Sequence, residues 1–262
     1  MSTQEPLIRK YVMPAPRAVL LVGLLAALSA SAYVLPGGSI LRRMMAGRED
    51  LPASTLKADG SLHFYGPGVK EAGAALGLPT DRSELEADGT VLLKVPGRCR
   101  FEARPLEGNM VAVVSSGGRK RVEGTEIPAL SEAVQQVCAL LAVRAETPVE
   151  GRELVEAHLR ALGIEPRATS LGRFGGEVVY VLGQQGEGKP QFWVYKDGFR
   201  PARVRYKDGK GTQWDVRFID YTSPATSELL PRTMEVWRGT ERVMRFTVLT
   251  GDTRAKLADT LF

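Results

Sequence analysis

The chain has 262 residues, of which 44% are hydrophobic and 25% are charged. These values are ordinary for a globular protein and exclude disorder as the main state. The 28 glycines and 16 prolines have no fixed period, which excludes a collagen-like or coiled-coil chain, and a single short apolar run excludes a multi-pass membrane protein. The formal net charge is +5, but no basic stripe with interleaved aromatic residues occurs, so we expect no nucleic-acid partner.

The N-terminal segment predicts export. Arg9, Lys10 and Arg17 form a positive region, and Ala18–Leu28 is an apolar core of about eleven residues. A membrane-spanning helix needs about 20 apolar residues, so this core fits a signal peptide better. We therefore expect a protein of the periplasm.

Ala30-Ser31-Ala32 supplies a cleavage signature of small residues. Residues 1–32 are therefore predicted to be a cleavable signal peptide, and residues 33–262 a single domain. The alternative is an uncleaved inner-membrane anchor, because Tyr33-Val34-Leu35 lengthens the apolar stretch. No cysteine lies near the cleavage point, so we do not expect the protein itself to be a lipoprotein.

The first elements after the signal peptide are a helix and a strand. Leu35–Asp50 has apolar residues at helical spacing, with Ser39 as a candidate N-cap. Thr55–Tyr65 alternates apolar and polar residues, which predicts a half-buried strand. Pro67–Leu78 is rich in glycine and alanine, and we expect a loop there with one helical turn.

Two more strand regions precede two helices. Thr90–Ala103 contains a turn or bulge at Pro96-Gly97, and Asn109–Ser116 leads through Gly117-Gly118 into residues 119–124. The basic triplet at 119–121 is predicted to be a solvated turn. Periodicity predicts helices over Pro128–Val143 and from about Glu150 to Leu162.

Everything after Pro166 is predicted to form antiparallel strands, because short apolar runs are separated by glycine-rich turns with no helix between them. The expected fold is α+β, a large antiparallel sheet with a few helices. The predicted strands are Gly176–Gly183, Pro190–Tyr195, Arg203–Lys207, Gln213–Tyr221, Arg232–Trp237 and Arg242–Thr250.

Motifs for catalysis and metal binding are weak. His63 and His158 lie on different elements without neighbouring ligands, so we expect no metal site. Gly183–Lys189 matches seven positions of a phosphate-binding loop, but Pro190 replaces the required Ser or Thr and a strand follows. We expect a protein that is not an enzyme and has no cofactor.

Several strands carry bulky residues on both faces. Phe192 and Val194 oppose Trp193 and Tyr195, for example. One interpretation is a sheet covered by helices on one side and by a long loop on the other. The other is a strongly curved sheet around an apolar cavity that helices fill only in part.

The chain resembles the periplasmic carriers that sort outer-membrane lipoproteins, the LolA type, and their LolB-like and RseB-like relatives. In these families a turn with Gly-x-x-Pro follows an aromatic strand, and Leu-Pro precedes the next strand. The segments that carry the resemblance are Ile40–Met44, Leu56–Phe64, Trp193–Arg203, Val216–Tyr221 and Leu230–Trp237.

The resemblance implies an unclosed β-barrel of about eleven antiparallel strands, with helices covering the concave face as a lid. It implies a monomeric carrier, or chaperone, for acylated lipoproteins or related lipids in outer-membrane biogenesis, with an inner-membrane donor and an outer-membrane acceptor. A periplasmic envelope-stress regulator of the same fold, holding a membrane signalling partner, is the alternative. An outer-membrane acceptor is a third option, but such acceptors are usually lipoproteins.

The predicted lipid-binding residues alternate along the strands and would face the cavity. They are Leu62, Phe64, Val91, Leu93, Met110, Phe192, Val194, Trp214, Val216, Phe218, Met234, Val236 and Phe246. The chain departs from the family in its long insertion at Gly66–Asp88. The lid arginine of the carriers has three candidates here, Arg144, Arg152 and Arg160.

Cys99 and Cys138 are the two cysteines of the chain. Cys99 lies on the same face of the strand as Val91 and Leu93 if the turn at Pro96-Gly97 preserves the alternation of side chains. Cys138 borders the apolar stripe of its helix. If that helix packs on the concave face, a structural disulfide becomes possible. Two buried free thiols are the alternative, since free cysteine packs as a small hydrophobe.

Overall fold

The computed structural model describes residues 34–262, so the predicted signal peptide lies outside the described residues. Among those residues, no helix combines the length and the apolar character needed to cross a bilayer. The helices are α1 (Gly37–Glu49), α2 (Pro67–Leu76), α3 (Pro128–Leu140) and α4 (Pro148–Ala161), with a 3₁₀ turn at Asp259–Leu261. The strands are β1 (Thr55–Tyr65), β2 (Glu84–Lys94), β3 (Arg98–Arg104), β4 (Val111–Ser116), β5 (Arg119–Glu123), β6 (Thr169–Phe174), β7 (Glu177–Gly183), β8 (Gln191–Tyr195), β9 (Pro201–Lys207), β10 (Gln213–Ile219), β11 (Thr233–Arg238) and β12 (Glu241–Asp252).

All twelve of these strands belong to one antiparallel sheet. Their order is β5-β4-β3-β2-β1-β12-β11-β10-β9-β8-β7-β6, and the edge strands β5 and β6 do not pair with each other. The sheet is therefore unclosed. The predicted α+β fold is confirmed, with twelve strands in place of about eleven.

The sheet curves around α3. This helix contacts β3 and β4 on one side and β10, β11 and β12 on the other. Six strand spacings separate β4 from β10, which is roughly 29 Å in a flat sheet. A helix is only about 10–12 Å wide, so it can touch both groups of strands only if the sheet bends toward it.

The strand register builds a continuous apolar layer on the face that α3 covers, which we call the inner face. Leu62 lies opposite Phe246, which lies opposite Met234, which in turn lies opposite Phe218. Direct neighbours of this kind on one face are the unit of sheet stabilisation. The layer therefore joins the two halves of the sheet across β1 and β12.

The opposite, outer face carries aromatic residues that are covered by arginine side chains. Arg203 lies over Trp193 and Arg217 over Trp237, with the guanidinium carbons 4.7 and 4.0 Å from the ring centroids. Asp215, which is buried, accepts hydrogen bonds from both arginines at 2.7 and 2.9 Å. Arginine stacking thus covers the aromatic residues of this part of the outer face. Over β2 and β3 the C-terminal segment also lies on the outer face, where Lys94 and Arg100 donate to the carbonyl oxygens of Leu257 and Leu261.

Two local predictions were wrong near the N-terminal half. Ser39 is not the N-cap, because α1 begins at Gly37 after Pro36 and Ser39 lies in its first turn. The segment predicted as a loop is α2: Pro67 at the first turn has its φ set for a helix, and Gly77 ends it in the left-handed conformation at φ 72°. The long insertion at Gly66–Asp88 therefore contains α2 and the start of β2.

Other boundaries also differ. β2 begins at Glu84, earlier than Thr90, because it pairs along the whole length of β1. β6 was missed because an edge strand at the solvent lacks a clear apolar alternation. The basic triplet at 119–121 begins β5, and the turn itself is Gly117-Gly118, where both residues have positive φ. Helix α3 ends at Leu140, before the predicted Val143.

Gly89 is predicted to be required by the packing of Phe246. A Cβ at Gly89 would lie 2.7 Å from a ring carbon of Phe246, a side chain with no exposed surface. We expect Gly89→Ala to lower the free energy of unfolding by about 1–3 kcal/mol through overpacking. Gly209→Ala is the control, because a Cβ there meets no atom within 4 Å. Equal stabilities of the two variants in urea denaturation would contradict the packing described.

Candidate functional site

Twelve of the thirteen residues predicted to bind lipid lie together in the inner layer, and each is at most 4% exposed. They pack against each other and beneath the helices. A ligand could touch them only after a covering helix has moved, so their role as lipid contacts stays a prediction. The twelve are Leu62, Phe64, Val91, Leu93, Phe192, Val194, Trp214, Val216, Phe218, Met234, Val236 and Phe246.

Met110 does not join this layer. It lies in the loop before β4, is 39% exposed, and its sulfur is 3.3 Å from the guanidinium of Arg104. Met110 shares the parity of Ala112 and Val114, and this is the outer parity of β4, because Val113 and Ser115 lie opposite the inner-face residues Phe101 and Cys99.

A disulfide joins Cys99 of β3 to Cys138 of α3, with the Cα atoms 5.6 Å apart. Cys99 lies opposite Leu93 in the β2–β3 hairpin, so the turn at Pro96-Gly97 preserves the parity of the inner face. The C-terminal half of α3 is therefore tied covalently to the sheet.

Beside this disulfide lies a groove of about 560 Å³, which we call the end groove. The turns that end the β2–β3 and β4–β5 hairpins form one wall, and α3, α4 and their connection form the other. Its volume falls in the range of about 300–1,000 Å³ that is usual for small-ligand sites. The lining residues are Pro96, Gly97, Arg98, Ser115, Ser116, Gly117, Gly118, Gln135, Cys138, Ala139, Val143, Arg144, Leu154 and His158.

The surface of the end groove is mainly apolar and open to water. Ala139, Val143 and Leu154 line it, and Leu154 is 55% exposed although it is a large apolar side chain. Apart from Cys138, none of the residues singled out from the sequence as lipid or disulfide residues lines this groove. The sequence carries no local signal for it, because its walls come from separate turns and helix faces.

A chain of polar contacts connects α4, α3 and β9 next to the groove. His158 Nε2 lies 2.8 Å from Gln136 Oε1, and Gln136 Nε2 donates to the hydroxyl of Tyr206 at 3.0 Å. That hydroxyl donates to the carboxylate of Glu132. Burial lowers the pKa of His158 to about 4 and raises the pKa of Glu132. The imidazole is therefore neutral near pH 7.

Arg48, at the end of α1, connects three segments of the chain. Its guanidinium is buried and donates to the carbonyl oxygens of Glu228 at 2.8 Å and Leu229 at 3.0 Å, and also to that of Leu141. Burial lowers the pKa of Arg48 to about 10. Arg48 thus links α1 to the end of α3 and to the β10–β11 loop.

The role of lid arginine stays a prediction for Arg144, Arg152 and Arg160, which make other contacts. Arg144 donates to the carbonyl oxygens of Arg48 and Leu51 at 3.4 and 3.3 Å. Arg152 and Arg160 both pair with Glu156 on the same helix, α4. Neither of these two reaches the sheet through the contacts described.

An unclosed antiparallel sheet with helices on its inner face is the LolA-like fold, and the resemblance predicted from sequence is confirmed at the level of fold. The structure is similar to a LolA superfamily protein from Nitrosomonas europaea, with a TM-score of 0.50, 14% identity, and coverage of 87% of this chain and 97% of that one. No family model and no curated protein matches the chain.

Two other solved structures are similar at lower scores. One is a domain assigned to outer membrane lipoprotein sorting from Vibrio parahaemolyticus, with a TM-score of 0.45, 15% identity, and coverage of 85% and 94% of the two chains. The other is the MucA/MucB complex of Pseudomonas aeruginosa, with a TM-score of 0.31, 13% identity, and coverage of 86% and 60%. At these identities the likeness concerns the fold.

Removal of the disulfide is expected to destabilise the protein. Cys99 and Cys138 are 39 residues apart, and closing a loop of this size is worth about 4 kcal/mol in the chain-entropy model. The double variant Cys99→Ser/Cys138→Ser should lose roughly this free energy of unfolding, and reduction of the wild type should do the same. Thiol labelling of the denatured, unreduced protein should find no free thiol; two labelled thiols would show that the bond does not form.

His158 should make stability depend on pH. Between about pH 6.5 and pH 4 the unfolded chain protonates this imidazole while the folded protein keeps it neutral, so the free energy of unfolding falls as the pH is lowered. His158→Gln can still donate to Gln136 and should remove about 1–3 kcal/mol of this fall. Glu132 acts in the opposite sense, since its pKa is raised, but it is present in both proteins. Parallel curves of stability against pH for both proteins would contradict the assignment.

Proposed function

We propose that this protein is a periplasmic carrier, a chaperone that binds acyl chains of lipoproteins or related amphiphiles and delivers them toward the outer membrane. The end groove is the observation that carries the proposal. It is an apolar surface open to water, next to an inner layer that is otherwise buried. Exposed apolar surface in a groove is typical of a ligand site.

The energy scale suits a carrier. Each methylene group moved from water into apolar surroundings contributes about 0.8 kcal/mol, so full burial of a chain of about 16 carbons would give roughly 13 kcal/mol before costs. Cargo held that tightly would leave slowly. An open groove contacts a chain on one side only, and this leaves affinity low enough for release.

Loading of an acyl chain requires a wider end groove, and movement of α4 would widen it. α3 is tied to β3 through Cys138, whereas the contacts of α4 with α3 run through His158 and Gln136 without a covalent bond. A shift of α4 would separate it from α1, its main helical contact, and would widen the end groove along α3. The contacts of Arg48 would hold the end of α3 in place during this shift.

The proposal includes export by residues 1–32 and a monomer that acts in the periplasm. A donor in the inner membrane and an acceptor in the outer membrane would exchange the cargo. The protein would not act as an enzyme and would need no cofactor, metal or nucleic acid. Within residues 34–262 the acidic, histidine and cysteine side chains form no cluster suited to a metal ion.

One observation favours a second candidate, a periplasmic regulator that holds a membrane signalling partner. The inner layer is closed, and a protein that binds its partner on the surface needs no cavity. Cross-linking in intact cells separates the two roles. Stable capture of one inner-membrane regulator supports the regulator, and transfer of an acylated probe to an acceptor supports the carrier.

Leu154→Asp tests the carrier at the end groove. A carboxylate at this position would lose its hydration when an acyl chain packs against it, so we expect the affinity for a fluorescent acyl probe to fall at least tenfold. Leu106→Asp is the matched control, since Leu106 is fully exposed and lies in the β3–β4 loop outside the groove. Native mass spectrometry of protein washed free of membranes gives a second measurement. Absence of bound lipid together with no uptake of the probe by the wild type would overturn the proposal.

A further inference from the structure

The charged side chains that line the end groove are all cationic. Arg98 lies at the β2–β3 turn and Arg144 follows α3, and no aspartate or glutamate lines the groove. The other sizeable clefts described on this chain each include carboxylates: Asp59 and Asp88 in one, Glu177 and Asp197 in a second. The end groove thus combines an apolar wall with a purely basic rim.

Arg144 has unused hydrogen-bonding capacity. One of its terminal nitrogens, Nη2, donates to two backbone carbonyl oxygens, and none of the salt bridges within residues 34–262 includes Arg144, although Glu49 interacts with it at longer range. Arg98 is 36% exposed and shares the carboxylate of Asp259 with Lys94; Asp259 is 68% exposed, so an anionic ligand could compete with it for Arg98. Two arginines can bind a carboxylate or a phosphate through several charge-assisted hydrogen bonds.

The size of the groove limits the apolar part of the ligand. The groove holds about 560 Å³, and Cys138 of the disulfide that fixes α3 to the sheet is among its lining residues. The inner layer beyond it is filled, with Phe64, Phe192 and Phe246 showing no exposed surface. A second or third chain would therefore have no apolar surface to contact unless α3 left the sheet.

We infer that the end groove binds a single-chain amphiphile with an anionic headgroup. The alkyl chain would lie along Ala139, Val143 and Leu154. The headgroup, a fatty-acid carboxylate or a lysophospholipid phosphate, would lie at Arg98 and Arg144. This inference rests on the proposed carrier function and names the class of cargo that the described groove accepts.

Binding of ligands with equal chain length tests the headgroup. Calorimetry below the critical micelle concentration would compare hexadecanoate, palmitoyl lysophosphatidate, monopalmitoylglycerol and hexadecyltrimethylammonium. We expect each anionic ligand to bind at least tenfold more tightly than the uncharged one, and the cationic one to bind most weakly. The two anionic ligands show whether carboxylate or phosphate is preferred. Equal affinities for the anionic and uncharged ligands would overturn the inference.

Substitutions of the two arginines test whether they cause the preference for anionic ligands. Arg98→Gln/Arg144→Gln should abolish the preference for anionic ligands while the uncharged ligand binds as before, and Arg98→Lys/Arg144→Lys should retain most of it. Arg167→Gln/Arg173→Gln removes the same charge on residues that do not line the groove and should change nothing. Retention of the preference by the first variant would contradict the site. Near-ultraviolet circular dichroism checks that each variant is folded.

The number of acyl chains that the groove accepts is tested with dipalmitoyl phosphatidylglycerol, which has two, and a triacylated lipopeptide, which has three. We expect one hexadecanoate per protein and at least tenfold weaker binding of the lipids with two or three chains. Tight binding of these lipids and none of hexadecanoate would overturn the inference but leave the carrier function standing. Failure of every acyl compound to bind would overturn both.

Discussion

The packing of α3 on the inner face is the constraint on which the rest of the structure depends. Strands from both halves of the sheet reach this helix, so its position fixes the curvature of the sheet and the depth of the inner layer. The disulfide between Cys99 and Cys138 makes this contact permanent at one end of the helix. The apolar layer is then buried, and the exposed apolar surface that suits a ligand is the groove beside that bond.

Charged groups allow this sheet to carry large side chains on both faces. On the outer face, arginines stack on Trp193 and Trp237 and share the carboxylate of Asp215. Such stacking buries the aromatic surface while the charged ends stay hydrated. On the inner side, Arg48 satisfies three carbonyl oxygens of chain segments that have no strand partner. The stacked arginines thus make the outer face compatible with water. On the inner side, carbonyl oxygens and not a carboxylate accept the hydrogen bonds of Arg48.

Regular alternation made much of the fold predictable from the sequence. In β1 the parity of Leu62 and Phe64 is the observed inner parity, and the same rule carried through the Pro96-Gly97 turn to Cys99. Alternation and helical periodicity did not predict the elements whose structure depends on contacts with residues distant in the sequence. The small residues of α2 have no apolar period, yet they permit the helix to approach β12, where a Cβ at Gly68 would lie 2.2 Å from the carbonyl oxygen of Val243.

Two features of the candidate site show the same limit. Arg48 follows Met44 and Met45 at helical spacing, so its place on the buried stripe was visible in the sequence, but charge argued for the surface. The end groove had no signal at all. It forms where Gly117-Gly118, Ala139 and Leu154 meet, and these residues belong to separate elements whose distances only the tertiary structure sets. Hydrophobic periodicity predicts which face of a helix or strand is buried, whereas a groove depends on how separate elements meet in the tertiary structure.

If the end groove is the cargo site, cargo enters it while α3 stays on the sheet. The most direct measurement is a crystal structure of the oxidised protein with a hexadecanoate brominated at the chain terminus, with the bromine located by its anomalous scattering. The account predicts a bromine peak beside Ala139, Val143 and Leu154, with the rings of Phe101 and Phe246 still 5.0 Å apart beneath α3. A bromine peak between α3 and the inner face, with these phenylalanines displaced, would contradict it.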